Sequence, residues 1–199
     1  ATADPPFYAM VDAGALITGF SNIGTARYLL TKLHPSFKGC AFLDASDRTQ
    51  VVMREGGRVM TLAACGLQPE ERFSFYDQVH STGTDIKQCA QARCAVTLGK
   101  GMTLRDLAQG AWRMRGLTIG QTIELIVVPE VQKQIGSTTL ESADEQERLG
   151  GVVEWLLDNT AKTEQKQYLQ LITQQAANLW RAYAFDELLD SRAPELLPA

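Results

Sequence analysis

Short apolar runs that alternate with glycine-containing turns and helical patterns constrain the first 130 residues of this chain more than any other feature. Strands are predicted at residues 15–17, 40–43, 73–76, 94–98 and 123–128. Residues 50–53 and 58–62 flank Glu55-Gly56-Gly57, a pattern typical of a β-hairpin. Because strands that alternate with helices favour parallel pairing, we expect an α/β fold with a parallel sheet flanked by helices.

The helical patterns divide the chain into parts. Helices are predicted at residues 25–33 and 103–114, the second capped by Thr103 with Asp106 three positions later. Residues 142–157 and 164–189 predict two amphipathic helices, which pack on the α/β part, on each other, or on a neighbouring domain. We therefore expect an α/β domain over 1–135, a helical extension over 136–190 and a tail over 191–199.

Composition excludes several classes of protein. The net charge of −4 argues against a globally basic nucleic-acid binder. There is no apolar run of about 18 residues, which predicts no membrane span. The chain opens at Ala1, without a signal-peptide pattern, and is interpreted as a processed or excised piece of a longer protein.

Four cysteines form no C-x-x-C pair, and their spacing does not predict a metal site. Buried, reduced thiols in an intracellular, cytoplasmic protein are the expected interpretation. The four are Cys40, Cys65, Cys89 and Cys94.

Three features that carry chemical information follow one another in a fixed order. Tyr-Asp-Gln-Val-His-Ser-Thr-Gly-Thr-Asp-Ile at 76–86 follows a strand, a second strand spans 95–98, and a helix carries residues 104–116. This order resembles the second RecA-like domain of superfamily 2 helicases and translocases, which have a P-loop NTPase fold. There, a hydroxyl-rich loop with Gly-x-Asp, called motif V, precedes a strand and a helix with Gln-x-x-x-Arg-x-x-Arg, called motif VI.

The loop at 76–86 matches motif V at four positions. The resemblance gives Gly83 and Asp85 the Gly-x-Asp positions, and Thr82 and Thr84 the hydroxyl positions. In the family, this loop couples the nucleotide cleft to the substrate track. The resemblance therefore implies nucleotide-binding roles for these four residues.

The helix at 104–116 matches motif VI with one displacement. Gln109 takes the position of its glutamine and Arg113 that of its first arginine. Arg115 falls one residue before the second arginine, and Gly116 occupies the expected place. The resemblance implies catalytic roles for Gln109, Arg113 and Arg115, and leaves open which arginine is the finger that stabilises the γ-phosphate.

The spacing of the two arginines makes its own prediction. Residues two apart on a helix do not share a face, so Arg113 and Arg115 are expected to diverge. One would then face the nucleotide while the other pairs with a carboxylate.

The same stretch is also similar to a family of very large proteins that are often labelled ubiquitinyl hydrolases. The similarity covers residues 10–185 and includes Leu-Gly-Lys-Gly-Met-Thr at 98–103 and Trp-Leu-Leu-Asp-Asn-Thr at 155–160. A cysteine deubiquitinase needs a thiolate, an imidazole base and an orienting carboxylate or amide. His80, Asp77 and either Cys89 or Cys94 supply those groups.

The sequence lacks a complete phosphate-binding loop for a nucleotide. Residues 19–26 have the glycine spacing of a phosphate-binding loop but lack its lysine, so a turn plus a helix cap is predicted there. ATP with Mg²⁺ is therefore expected to bind only together with a first RecA-like domain, and the chain alone is not a complete enzyme. Other domains of the parent protein are the expected partners, and nucleic acid and ubiquitin stay open.

The sequence therefore leaves three alternative functions. The first is one half of a helicase-like ATPase. The second is a degenerate RecA-like scaffold that binds a partner. The third is a fragment of a cysteine-type deubiquitinase.

Overall fold

A computed structural model describes residues 5–81, 83–136, 140 and 144–196. In chain order its strands are β1 (Ala9–Val11), β2 (Gly39–Leu43), β3 (Thr49–Met53), β4 (Val59–Thr61), β5 (Arg72–Tyr76), β6 (Arg93–Leu98) and β7 (Thr122–Val127). Its helices are α1 (Asn22–Lys32), α2 (Leu104–Ala111), α3 (Pro129–Ile135) and α4 (Glu145–Leu196).

The described strands form one sheet with the order β4-β3-β2-β5-β1-β6-β7. Strands β2, β5, β1, β6 and β7 are parallel, whereas β3 pairs antiparallel with both β2 and β4. The α/β class and the predicted hairpin are confirmed. The sheet is thus mixed, and its parallel part is the larger one.

Strand β1, the middle one of the five parallel strands, lies earlier in the sequence than the first predicted strand. Residues 15–17 are not a strand, because the backbone N–H groups of Leu16 and Ile17 donate to the Asp12 carboxylate at 2.9 and 2.8 Å. Ala15 has a φ of 51°, which also breaks an extended conformation. The sequence analysis did not predict β1, whose three residues are too few to show a period.

Alternating side chains direct two clusters to the two faces of the sheet. On β2, Cys40 and Phe42 contact one cluster while Ala41 and Leu43 contact the other. Helix α1 covers the first face, and helices α2, α3 and α4 cover the second. The sheet is therefore the middle layer of three, as expected for parallel strands connected by helices.

The predicted helix caps are confirmed, although α1 begins at Asn22, three residues before its predicted start. The Ser21 hydroxyl accepts from Gly24 N at 3.3 Å at the start of α1, so residues 19–26 are a turn plus a cap. Thr103 and Asp106 form a reciprocal capping box at the start of α2.

The loops that follow β1 and β6 touch backbone to backbone. A Cβ atom added at Gly99 would lie 2.1 Å from the carbonyl oxygen of Gly14. The Thr97 hydroxyl donates to the Asp12 carboxylate at 2.7 Å beside this contact. The chain leaves β1 and β6 in opposite directions, toward β2 and β7, and such a divergence is where open α/β sheets usually bind ligands. Here that crevice is filled by the protein's own backbone.

The predicted pair of C-terminal helices is wrong, because α4 is one continuous helix of 52 residues. No glycine or proline interrupts residues 158–163, and two of their polar side chains bond to the backbone at the start of α2 and just before it. The Asn159 amide donates to Met102 O at 3.0 Å, and Leu104 N donates to the Thr160 hydroxyl at 3.1 Å. Val152, Trp155 and Leu156 are buried against the second face of the sheet.

Among the described residues, no helix combines the length and the apolar character needed to cross a membrane.

Candidate functional site

The loop after β5 and the turn after α2 meet at one carboxylate. Arg113 Nη1 lies 2.6 Å from Asp85 Oδ1, and Arg115 Nη2 lies 2.7 Å from Asp85 Oδ2. Arg115 Nε donates to the same Oδ2 at 2.8 Å. We refer to Asp85, Arg113 and Arg115 as the arginine corner. The structure thus brings together the two segments that the sequence matched to motifs V and VI.

The expected divergence of the two arginines is wrong. It assumed that the helix continues through Met114, but α2 ends at Ala111. Beyond that point Arg113 N bonds to Gly110 O at 3.1 Å and Met114 N to Ala111 O at 3.0 Å, as in consecutive turns. The rule for helix faces does not apply to turns, so both guanidinium groups reach Asp85.

Arg113 is the buried member of the arginine corner, with 7% of its side chain exposed. Its Nη1 also donates to the backbone oxygens of Gly83 and Thr84 at 3.0 and 3.2 Å. Its Nε is buried and has no hydrogen-bond partner among the residues that the structure describes. Arg113 therefore fixes the path of the loop at 83–85, and its own head group is withdrawn from solvent.

Arg115 is the accessible member, with 48% of its side chain exposed. Its guanidinium carbon lies 5.9 Å from the ring centroid of Trp112, within reach of a cation–π contact. Trp112 is itself 61% exposed. Sequence reasoning missed Trp112, although its position three residues after Gln109 on a polar helix face was a usable signal.

The other predicted site residues differ in their exposure and in what they contribute to the arginine corner. Gln109 is exposed near the end of α2. Gly83 has a φ of 100°, which favours glycine, and its Cβ position faces open space. Thr84 contributes its backbone oxygen, and Thr82 lies outside the described residues.

Gln121 locks the turn that carries the arginines. Its side-chain oxygen accepts from Gly116 N at 2.7 Å, and its amide nitrogen donates to Cys89 O at 2.9 Å. Gln121 is buried, so both bonds are shielded from water. Tyr76 secures the other side, because its hydroxyl accepts from Ile86 N at 2.8 Å. The loop from 86 to 89 is therefore held at both ends while Asp85 stays 40% exposed.

His80 lies at a different place, in a cleft of about 710 Å³ at the carboxyl ends of β2 and β5. Its Nδ1 contacts Asp77 Oδ1, and its Nε2 lies 2.9 Å from Asp47 Oδ1. Partial burial lowers the pKa of His80, but the hydrogen bonds to Asp77 and Asp47 outweigh it and raise the pKa above its ordinary value. His80 thereby joins the 44–48 turn to the end of β5.

The structure does not assemble a cysteine–histidine pair around His80, since carboxylates occupy both of its ring nitrogens. Burial raises the pKa of the Cys94 thiol to about 12 and also raises the pKa of Cys89. Both thiols are at least nine-tenths buried. Neither has the exposed, low-pKa environment that a nucleophilic thiolate requires.

No metal-binding group forms among the residues that the structure describes, in the sense of three or more clustered His, Cys, Asp or Glu side chains. By its fold the chain is an α/β protein with a long C-terminal helix. Comparison of the chain with protein-family models, with curated proteins and with solved structures gives no match. The functional argument therefore depends on the arginine corner itself.

Proposed function

We propose that this chain is the second RecA-like domain of a helicase-like or translocase-like ATPase, and that it completes an ATP cleft together with a first RecA-like domain. The observation that carries the proposal is the bond from Arg113 to Asp85 at 2.6 Å. It joins the loop that resembles motif V to the turn that resembles motif VI, which is the coupling that such a motor needs. The proposal assigns the remaining groups of the cleft to the first domain.

The residues at the arginine corner fit one wall of a triphosphate site. Two guanidinium groups share one carboxylate, so the cluster keeps a net positive charge. Arg115 is half exposed and is our candidate for the arginine that stabilises the γ-phosphate. Arg113 serves as a positioning residue, because its buried head group holds the loop at 83–85. Trp112 is exposed beside Arg115, and Gln109 is exposed near the end of the same helix, so both would line the same wall.

ATP hydrolysis by a longer polypeptide that contains this chain and a domain with a phosphate-binding lysine tests the proposal. Arg115→Ala is expected to reduce turnover by about 10³-fold or more, the usual effect of losing an arginine finger. Arg105→Ala is the matched control, because Arg105 is an exposed arginine of α2 outside the corner. If Arg115→Ala and Arg105→Ala hydrolyse ATP equally fast, Arg115 is not the finger.

A second candidate function is a RecA-like scaffold without ATPase activity. Asp85 binds both arginines within the chain, so the arginine corner can act purely as a structural clasp. The same assay separates the two functions. A longer polypeptide that binds no ATP and hydrolyses none, yet loses stability with Asp85→Asn, supports the scaffold.

We also propose a reducing, cytoplasmic location. All four cysteines are free thiols in the structure. Free cysteines persist where thioredoxin and glutathione keep thiols reduced.

A further inference from the structure

The segment of α4 beyond the folded core carries an uncovered apolar stripe. The stripe consists of Leu169, Ile172, Ala176, Leu179, Trp180 and Tyr183. At 100° per residue these six side chains fall within a band about 100° wide, which is the width of a packing face. The part from 158 to 190 is about 50 Å long at 1.5 Å per residue.

Nothing among the described residues covers this stripe. Leu179, Trp180 and Tyr183 are 71%, 72% and 61% exposed, and Leu169 and Ile172 are 57% and 47% exposed. By contrast, Val152, Trp155 and Leu156 of the same helix are buried on the α/β core. Contiguous apolar surface of this extent marks an interaction face, because solitary soluble domains rarely expose more than a few hundred Å².

The residues of the segment are arranged symmetrically about Ala176. Ile172 and Trp180 lie four residues before and after it, and Leu169 and Tyr183 lie seven residues before and after it. A two-fold axis at Ala176 would therefore place Ile172 against Trp180 and Leu169 against Tyr183 of an antiparallel copy. The small alanine at the centre lets the two helices approach closely there.

The charges at the two ends of the stripe follow the same symmetry with opposite signs. Lys162 and Lys166 lie fourteen and ten residues before Ala176, and Asp190 and Asp186 lie fourteen and ten residues after it. These four side chains are exposed. An antiparallel pair would bring each lysine turn opposite the acidic turn of the other copy, whereas a parallel pair would bring like charges together.

We propose that the 158–190 segment of α4 binds a second copy of this chain in an antiparallel helix pair centred on Ala176. The stripe supplies the buried seam, and the lysine and acidic turns set the direction and the register. In the single chain Lys162 pairs with the exposed Asp158 at 2.5 Å. Exchange of that partner for an acidic turn of the other copy costs little, since exposed ion pairs are weak. This inference does not depend on the proposed ATPase function.

Analytical ultracentrifugation of the 199-residue chain tests the proposal, and the expected species is a dimer. Lys162→Glu with Lys166→Glu, and separately Asp186→Lys with Asp190→Lys, should each raise the dimer dissociation constant by at least about tenfold. A mixture of the two variants should restore the dimer, because each reversed turn then faces an opposite charge. Trp180→Asp should abolish association while circular dichroism shows the helix retained.

Arg181→Glu is the matched control, because it reverses an exposed charge of the same helix about 140° around the helix axis from Ala176, outside the stripe. Its dissociation constant should equal that of the unaltered chain. A chain that stays monomeric at about 100 µM overturns the proposal, and the stripe then belongs to a different polypeptide. Equal effects of the lysine reversals and of Arg181→Glu would overturn the antiparallel arrangement.

Discussion

Arg113 and Asp85, 28 residues apart in the sequence, are joined by a 2.6 Å ion pair at the point where two loops meet. Arg113 is 7% exposed and Asp85 is 40% exposed. Arg113 therefore needs the carboxylate to balance its buried charge, whereas Asp85 is also hydrated by solvent. Arg115 takes the other carboxylate oxygen from the solvent side. The two arginines therefore differ: Arg113 has a structural role, and Arg115 stays accessible to solvent.

Asp85→Asn is expected to lower the free energy of unfolding by about 1–3 kcal/mol. The variant leaves the buried Arg113 without its counter-charge, although the oxygens of Gly83 and Thr84 still accept from it. Urea denaturation measures the change. Asp158→Asn removes an exposed ion pair and should cost less than about 1 kcal/mol. Equal costs for the two variants would contradict a special role for Asp85.

Gly99→Ala is expected to destabilise the fold by about 3 kcal/mol or more, because its Cβ would meet the Gly14 backbone. Gly150→Ala is the counterpart, since Gly150 lies in α4 with open space around it. That substitution should stabilise the protein by about 0.5–1 kcal/mol through helix propensity. Thermal unfolding of both variants gives the comparison. A midpoint for Gly99→Ala at or above that of the unaltered chain would refute the close backbone contact.

His80 is expected to make stability depend on pH near neutrality. Its folded pKa is raised above the ordinary 6.5, so its favourable contribution is complete below 6.5 and is lost as the pH rises through the folded pKa. His80→Gln should flatten that decline, and Asp47→Asn should lower the pKa of His80. Proton NMR over a range of pH measures the titration of His80, and His80→Gln assigns its signal. The negative charges of Asp77 and Asp47 raise the pKa of His80 in addition to their hydrogen bonds. A His80 that titrates below its ordinary 6.5 would contradict the double carboxylate contact.

Cysteine reactivity is expected to follow burial. Cys65 is partly exposed and should react first with iodoacetamide at pH 8, whereas Cys40 and Cys94 should react only after unfolding. Mass spectrometry of partially labelled protein gives the order. A ubiquitin-based electrophile should label neither Cys89 nor Cys94. Labelling of either residue in the folded chain would instead support the deubiquitinase alternative.

Much of the fold could be predicted because it is encoded over a few adjacent residues. Strand β2, the hairpin of β3 and β4, and strands β5 to β7 all lie at or near their predicted positions. The capping box of Thr103 and Asp106 was also readable, because both partners belong to one turn of the chain. Strand β1 was missed, since a strand of three residues depends on pairing with β5 and β6 rather than on its own pattern.

The candidate site was predicted only as an order of motifs. The sequence predicted that the 76–86 loop and the 104–116 segment belong together, and the contact from Asp85 to both arginines joins them. It did not predict that α2 ends at Ala111, and the two arginines were therefore wrongly expected to diverge. The path of the chain after α2 depends on tertiary bonds such as those of Gln121, which local propensity does not contain.

By itself, the sequence determined the α/β class, the hairpin, the caps of α1 and α2, and the order of the chemically informative segments. The physical reason is that periodicity, turn residues and caps act within about one or two turns of the chain. Only the tertiary structure decided that Arg113 is buried and Arg115 accessible, that carboxylates hold both nitrogens of His80, and that α4 continues beyond the core. Those outcomes depend on which distant segments the sheet brings together, and on how much solvent is left around each side chain once the core has formed.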